Sequence, residues 1–227
     1  MGGVEAFGAR VVQVAAGSVH TAAVTDDGRL WAWGGVSVRC RTGLLLHSSV
    51  VDVNDGDLAQ VRDDVRGLRH ELKHVHDDWT RPSRLALHAF AGAPVLMVAC
   101  GEDHTIVLAQ TGSVWTWGHG ARFCLGHGDD TDKWVPTQLA DEYFAGSLIA
   151  TVAASAAYSV AVTVGGHVWT WGTSRWGCLG HSGVEVIPRA AQIDCCCFCC
   201  SPVVMVAAGS LHVAAVTQVQ HRCVAVC

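Results

Sequence analysis

The chain has 227 residues, half of them hydrophobic and 15% charged, with a formal net charge of −5, a globular composition able to bury one sizeable core. That mild acidity excludes nucleic-acid binding through bulk charge, whose usual footprint is a basic patch or stripe, and no apolar run approaches the roughly 20 residues that span a bilayer. The N-terminal MGGVEAFGAR has neither a basic nor an apolar leader segment, and Ala6 stands where a myristoylation signal needs Ser or Thr, so an intracellular protein of cytoplasm or nucleus, with no membrane partner, is expected.

The first element pattern is Val14 to Gly34, VAAGSVHTAAVTDDGRLWAWG. An apolar run ending in Ala-Ala-Gly leads to a β-branched run, then to Asp27-Gly28, a dipeptide that supplies positive φ for a hairpin. In LWAWG the residues Trp31 and Trp33 sit two apart, so both point to one face of a strand. They are expected to be core wedges, and a ligand or nucleic-acid stacking platform is the weaker reading.

From Gly35 the pattern breaks, and it resumes at HDDWTRPSRL, His76 to Leu85. Trp33 to Pro82 spans 49 residues, whereas the equivalent Trp117 to Pro136 spans 19, so roughly 30 residues, placed at about 35–75, are extra to the repeat. Two readings stand. The segment is a binding excursion on one face, its Leu58, Val61, Val65, Leu68, Leu72 and Val75 spaced for an amphipathic helix, or it is intron sequence carried into the chain.

The unit then recurs as Val98–Gly118 (VACGEDHTIVLAQTGSVWTWG), Val152–Gly172 (VAASAAYSVAVTVGGHVWTWG) and Val206–Thr217 (VAAGSLHVAAVT). His104, Tyr158 and His212 fall 54 residues apart, and His20 occupies the same place in the first unit. Stacked supersecondary units follow from such a period. Trp115/Trp117 and Trp169/Trp171 repeat the paired Trp of the first unit. A side chain that recurs with no Cys, Ser or carboxylate in fixed relation to it forms no triad or metal set, so the His/Tyr position is expected to anchor a blade through a backbone hydrogen bond.

With these motifs, followed by the loops HGARFCLGHG after Gly118 and TSRWGCLGHS after Gly172 and by Pro136 and Pro188, the chain resembles the regulator of chromosome condensation family. The match covers most of residues 11–34 and 79–217. It departs from the family pattern at Phe123 (for Gly), Cys124 and Cys178 (for Gln) and Ser182 (for Gly). The resemblance implies an all-β fold, a β-propeller of four-stranded blades with partner-binding loops on its faces. Complete members have seven blades, and three to four are recognisable here. An incomplete propeller is therefore expected over residues 1–217, with 218–227 an unassigned tail. QVQHRCVAVC keeps neither the turn Gly nor WxWG, so pairing in the last blade is expected to stop at Thr217, and self-association to close the ring is one way to cover its edges.

Arg122 and Trp176 occupy equivalent loop positions and are the leading candidates for partner contact, Arg and Trp being enriched in interface hot spots; Trp176 packed over a neighbouring blade is the alternative. Asp129, Asp130, Lys133 and Trp134 form a second candidate cluster, for which solvated turn chemistry is the default. The eleven Cys residues are odd in number, and Cys195, Cys196, Cys197, Cys199 and Cys200 are crowded together, the wrong distribution for a disulfide framework. Reduced thiols are expected. Cys196/Cys199 and Cys197/Cys200 have CxxC spacing, but the two pairs overlap in one run and make a weak zinc motif.

No catalytic, cofactor or metal residue is assigned, and a non-enzymatic protein-interaction scaffold is the leading expectation. What the resemblance implies adds two alternatives, an exchange factor for a Ran-type small GTPase and the targeting propeller of a ubiquitin ligase. Light sensing of the plant ultraviolet-B type is disfavoured, because the GWRHT signature is absent.

Overall fold

The computed structural model describes residues 7–34, 82–174, 176–198, 201–218 and 223–226; the segment at 35–75 and Cys199 and Cys200 lie outside them. Short β-branched runs separated by Gly turns fold into four antiparallel sheets, each meandering in chain order. The first holds β1 (Val11–Ala16), β2 (His20–Thr25), β3 (Leu30–Gly34) and β4 (Ser83–Arg84). The second holds β5 (Val95–Cys100), β6 (His104–Ala109), β7 (Val114–Gly118) and β8 (Lys133–Gln138). The third holds β9 (Ile149–Ala154), β10 (Tyr158–Thr163), β11 (Val168–Thr173) and β12 (Val186–Gln192). The fourth holds β13 (Val203–Ala208), β14 (Val213–Thr217) and β15 (Cys223–Val226). First strands of successive sheets pack together, β1 on β5, β5 on β9 and β9 on β13, the radial arrangement of propeller blades.

The hairpin glycines do two things at once. Gly28 and Gly166 take φ of 77° and 80°, which an L side chain rarely adopts. A Cβ on either would also come within 2.4 or 2.5 Å of the Cβ of Pro94 or Pro202. The turn of one blade thus seats the proline that opens the next.

The first three blade cores are each stapled by a phenylalanine. Short 3-10 turns at Leu87–Phe90 and Asp141–Phe144 deliver Phe90 and Phe144 onto the paired Trp of the blade that follows. Phe90 meets Trp115 at 5.8 Å and Trp117 at 6.1 Å, and Phe144 meets Trp169 at 5.8 Å and Trp171 at 5.9 Å. Phe7 does the same for Trp31 and Trp33. Edge-on aromatic pairs add about 0.5–1.5 kcal/mol beyond area burial. Trp115, Trp117, Trp169 and Trp171 are buried, while Trp31 and Trp33 are partly so.

After the interruption the chain re-enters the first sheet in the register of the second. Trp31 pairs with Arg84 and Ala32 with Ser83, as Trp115 pairs with Gln138 and Thr116 with Thr137. The fourth sheet corrects the expectation that pairing ends at Thr217. β15 runs antiparallel to β14 from Val213↔Val226 to Val216↔Cys223. Its Cys-Val-Ala-Val has a β-branched residue at every second position, which suits a strand without WxWG, and it pairs a ladder edge that β14 would otherwise leave open.

Candidate partner-binding loop face

The ends of the β5–β6 and β7–β8 connections fall on the same side of the second sheet, as do their counterparts in the third, because alternate strands run in opposite directions. The β7–β8 loop (119–132) is fixed from inside. Thr116, between the two Trp of β7, donates to Leu125 O at 2.8 Å and lies 3.0 Å from His127 Nε2. A hydroxyl that donates to a carbonyl must accept from the imidazole, so His127 carries its proton on Nε2. Thr170 does the same in the third blade, to Leu179 O at 2.7 Å and His181 Nε2 at 3.2 Å. Burial holds both histidines below the ordinary imidazole range. In the first blade this position is Ala32, which has no hydroxyl, and there the usual loop sequence is also missing.

The 119–132 loop is further locked onto the third blade. Cys124 O accepts from Ser159 Oγ and from Trp171 Nε1, both at 2.9 Å, and Gly128 N donates to Pro188 O at 3.0 Å. Ser159 Oγ is also 2.9 Å from His104 Nε2. Since Ser159 donates to Cys124, His104 is the donor in that pair. His20 makes the matching contact one blade earlier, to Thr105 Oγ1 at 3.1 Å. The His therefore anchors a blade through the next blade's hydroxyl side chain, and not through a backbone group. Tyr158 departs from this pattern, its hydroxyl donating to Gly209 O at 2.6 Å and His212 O at 2.8 Å. The reason lies in the fourth blade, where the hydroxyl position is Val213.

Above this framework Arg122 and Trp176 are exposed, Trp176 by 69%. Thr173 Oγ1, at the root of the Trp176 loop, donates to Arg122 O at 2.9 Å, so a side chain at the base of one loop holds the backbone of the other. The Arg122 side chain forms an exposed ion pair with Glu102 at 3.7 Å. Ser174 Oγ accepts from the amides of Trp176 and Cys178 at 3.2 and 3.0 Å, fixing the start of the second loop. Arg122 and Phe123 both hold positive φ, 68° and 59°; Phe123 stands where the third blade has Gly177, whose φ is 75°.

The acidic cluster is a separate, self-contained turn. Asp129 Oδ1 accepts from the Thr131 amide at 3.0 Å and from the Thr131 hydroxyl, and Lys133 Nζ reaches both Asp129 oxygens at 3.3 Å. The Thr131 hydroxyl, with Lys133 beside it, holds the Asp129 carboxyl below the usual range. Asp130 is exposed and Trp134 half-buried. Among the described residues no group of three or more His, Cys, Asp or Glu side chains is arranged to hold a metal ion, and no helix is long and apolar enough to cross a membrane.

A family profile described as the regulator of chromosome condensation (RCC1) repeat matches residues 111–162 and 165–216, and a second of the same description matches 11–35. The chain belongs to the regulator of chromosome condensation repeat family. The two longer matches begin at hairpin turns, at Thr111 and Gly165, and end in the second strand of the next blade, so these sequence repeats are out of phase with the blades and each ties two blades together. The chain is 36% identical over 156 residues to the ultraviolet-B receptor UVR8 of Arabidopsis thaliana, covering 67% of this chain and 34% of that one. It is 31% identical to human protein RCC2 over 193 residues, covering 84% and 30%, and 30% identical to human E3 ubiquitin-protein ligase HERC2 over 213 residues, covering 93% and 4%. Human WBSCR16 shares the fold at TM-score 0.65 and 21% identity over 92% of this chain and 45% of that one. Yeast RCC1 (Prp20) gives 0.62 and 20%, covering 92% and 42%. The chain thus spans less than half the length of these relatives.

Proposed function

We propose that this chain is a non-enzymatic protein-interaction module whose contact surface is the loop face carrying Arg122 and Trp176. The observation that carries the reading is the contrast within that face: the loop backbones are tied into the blades by Thr116, Thr170, Cys124 O and Thr173, yet Trp176 stands in solvent. A large aromatic held on a rigid base loses little conformational freedom when a partner covers it. The relatives differ in what their names declare, a light receptor, a ubiquitin ligase and RCC2, and share the repeats, which favours a common scaffold with differing partners. The Asp129–Lys133 turn contributes at the margin, because Asp129 and Lys133 are already paired with each other.

The test is cross-linking of the wild type and of Trp176→Ala and Arg122→Ala to bound proteins, with melting curves in parallel. The reading expects each variant to keep its Tm and lose the same partner. Unchanged partner capture by both folded variants would remove this face from the interface. A parallel assay follows release of a fluorescent nucleotide from a Ran-type GTPase, since one solved yeast relative is described by its binding to Gsp1p and histones. Acceleration there would replace the scaffold reading with an exchange factor.

A further inference from the structure

The β6–β7 hairpin lies at the opposite end of the strands from the Arg122 loop, since the chain reverses at each turn of the meander. Beside it opens a cavity of about 360 Å³, with Phe90, Trp115 and Leu148 in its apolar wall and Ser113, Gln138 and Asp141 in its polar one. Leu148 is 61% exposed, so part of the apolar wall has no cover. The Gln138 amide and the Asp141 carboxylate have no hydrogen-bond or ion-pair partner among the described residues.

The equivalent positions in the neighbouring blades act as internal controls. The residue after the turn glycine is Arg29 in the first blade, Ser113 in the second and His167 in the third. Opposite the first Trp of each pair stand Arg84, Gln138 and Gln192. Arg29 pairs with Asp27 of its own hairpin at 3.1 Å, and the His167 ring lies 3.3 Å from the Gln192 amide. Ser113 is engaged on its own strand instead, with Thr111 at 2.7 Å and Trp115 Nε1 at 3.3 Å, and Gln138 is left alone. The first residue of the 3-10 turn that follows changes in the opposite sense, from Leu87 to Asp141 to Cys195. Of these three blades, the one whose hairpin lacks Arg or His is the one with a carboxylate there.

We infer that this cavity takes an arginine side chain presented by a partner protein. The guanidinium supplies the positive charge that the second blade omits, pairs with the Asp141 carboxylate and has donors left for the Gln138 carbonyl. Its methylenes lie along the apolar wall of Phe90 and Leu148. A lysine ammonium is a single point charge without the planar fork that spans two acceptors, and an acidic side chain is repelled by Asp141. The site is separate from the Arg122 and Trp176 face, so it stands or falls independently of that reading.

Titration of the full chain with the capped tripeptide acetyl-Gly-Arg-Gly-amide tests this, read at the Trp115 indole N–H, whose acceptor Ser113 lines the cavity. A saturable shift with Kd on the order of 1 mM is expected for one side chain. The citrulline counterpart, of the same shape but uncharged, is expected to bind about tenfold more weakly, as is the arginine peptide to Asp141→Asn. Ser113→His, which installs the residue of the third blade, is expected to weaken binding about tenfold by calorimetry; the exposed Asp141→Asn stands in if it fails to fold. Trp176→Ala, at the other end of the strands, is expected to leave the affinity unchanged. The inference is overturned if no saturable shift appears by about 10 mM, or if the citrulline peptide binds as well as the arginine one. It is equally overturned if a folded Asp141→Asn or Ser113→His keeps the parent affinity, or if Trp176→Ala abolishes binding.

Discussion

His104 Nε2 donates to Ser159 Oγ across the junction between the second and third blades at 2.9 Å, and the same hydroxyl in turn donates a hydrogen bond to Cys124 O. The network is fully buried, so each member is held by the others. Ser159→Ala removes the acceptor of one buried N–H and a donor of one buried carbonyl. Leaving such groups unpartnered costs about 1–3 kcal/mol. A lowered urea midpoint with an unchanged slope is the expected result, and an unchanged midpoint would show that the contact adds nothing.

The same junction sets a pH dependence. Burial pushes His104 down to about 3, with the nearby His20 and His119 adding to the shift, and burial lowers His20 as well. Between pH 6.5 and 3 the unfolded chain therefore binds protons that the folded chain refuses. The stability held by a neutral His104 is complete above the unfolded value and is lost as pH falls through this window, at on the order of 1 kcal/mol per unit. Denaturant midpoints from pH 7.5 to 4.5 should fall steadily below about 6.5. In His104→Gln that fall should flatten; equal slopes in both proteins would place the titration elsewhere.

Much of the fold was legible because its signals are local. The Asp-Gly and Gly-Gly turns, the strand runs and the Trp pairs all lie within one unit, and their order along the chain is their order in the sheet. The partner of each His was not legible, because it lies on the next blade and only the register between blades brings them together. Tyr158 shows the difference. As a sequence it is one substitution in a series of His. In the structure it belongs with Ser155, which replaces the Gly of the other blades, and with Val213, which replaces the hydroxyl. The stapling phenylalanines were readable in principle, since Phe90, Phe144 and Phe198 recur every 54 residues. So was the Thr of WTWG, whose absence at Ala32 coincides with the missing loop. The exposure of Trp176 was not readable, because the same loop position suits a residue packed on a neighbour.

Those three coupled positions predict how the third blade responds to restoration of the common residues. Tyr158→His gives up two part-buried hydrogen bonds, to Gly209 O and His212 O, and faces Val213 in place of a hydroxyl. It also crowds Ser155, since a Cβ at the equivalent Gly101 would lie 2.3 Å from the His104 ring. The single variant is expected to lose about 2 kcal/mol. Adding Ser155→Gly and Val213→Ser should recover most of it, a non-additivity expected of residues in contact. Thermal melts of the single, double and triple variants check this, and additive losses would contradict the coupling.

The loop clamps predict a local effect without a global one. In Thr116→Val the Leu125 carbonyl and the His127 imidazole lose a shared hydroxyl, and the 119–132 loop is then held chiefly by Cys124 O, Asp132 and Gly128 N. Hydrogen exchange should speed up in residues 119–132 while protection in β6 and β10 is unchanged. Thr170→Val should transfer the effect to 174–185. Acceleration spread over the whole blade would mean that the hydroxyl supports the core and not the loop.

The Trp pair holds one unmet hydrogen bond that can be supplied. Trp169 Nε1 is buried without a partner, whereas its counterpart Trp115 donates to Ser113 Oγ at 3.3 Å. The position two residues before Trp169 is His167, which faces Gln192 in an exposed contact at 3.3 Å. His167→Ser places a hydroxyl where Ser113 stands. An unsatisfied buried donor costs about 1–3 kcal/mol. Part of that is recovered here, because Phe144 already fixes the Trp169 ring and the hydroxyl has only to turn toward it. The expected outcome is a gain of about 1 kcal/mol and, in a Trp-selective spectrum, an indole N–H resonance shifted downfield relative to the parent. A stability gain with no change at the indole would assign the gain to the loss of His167 itself.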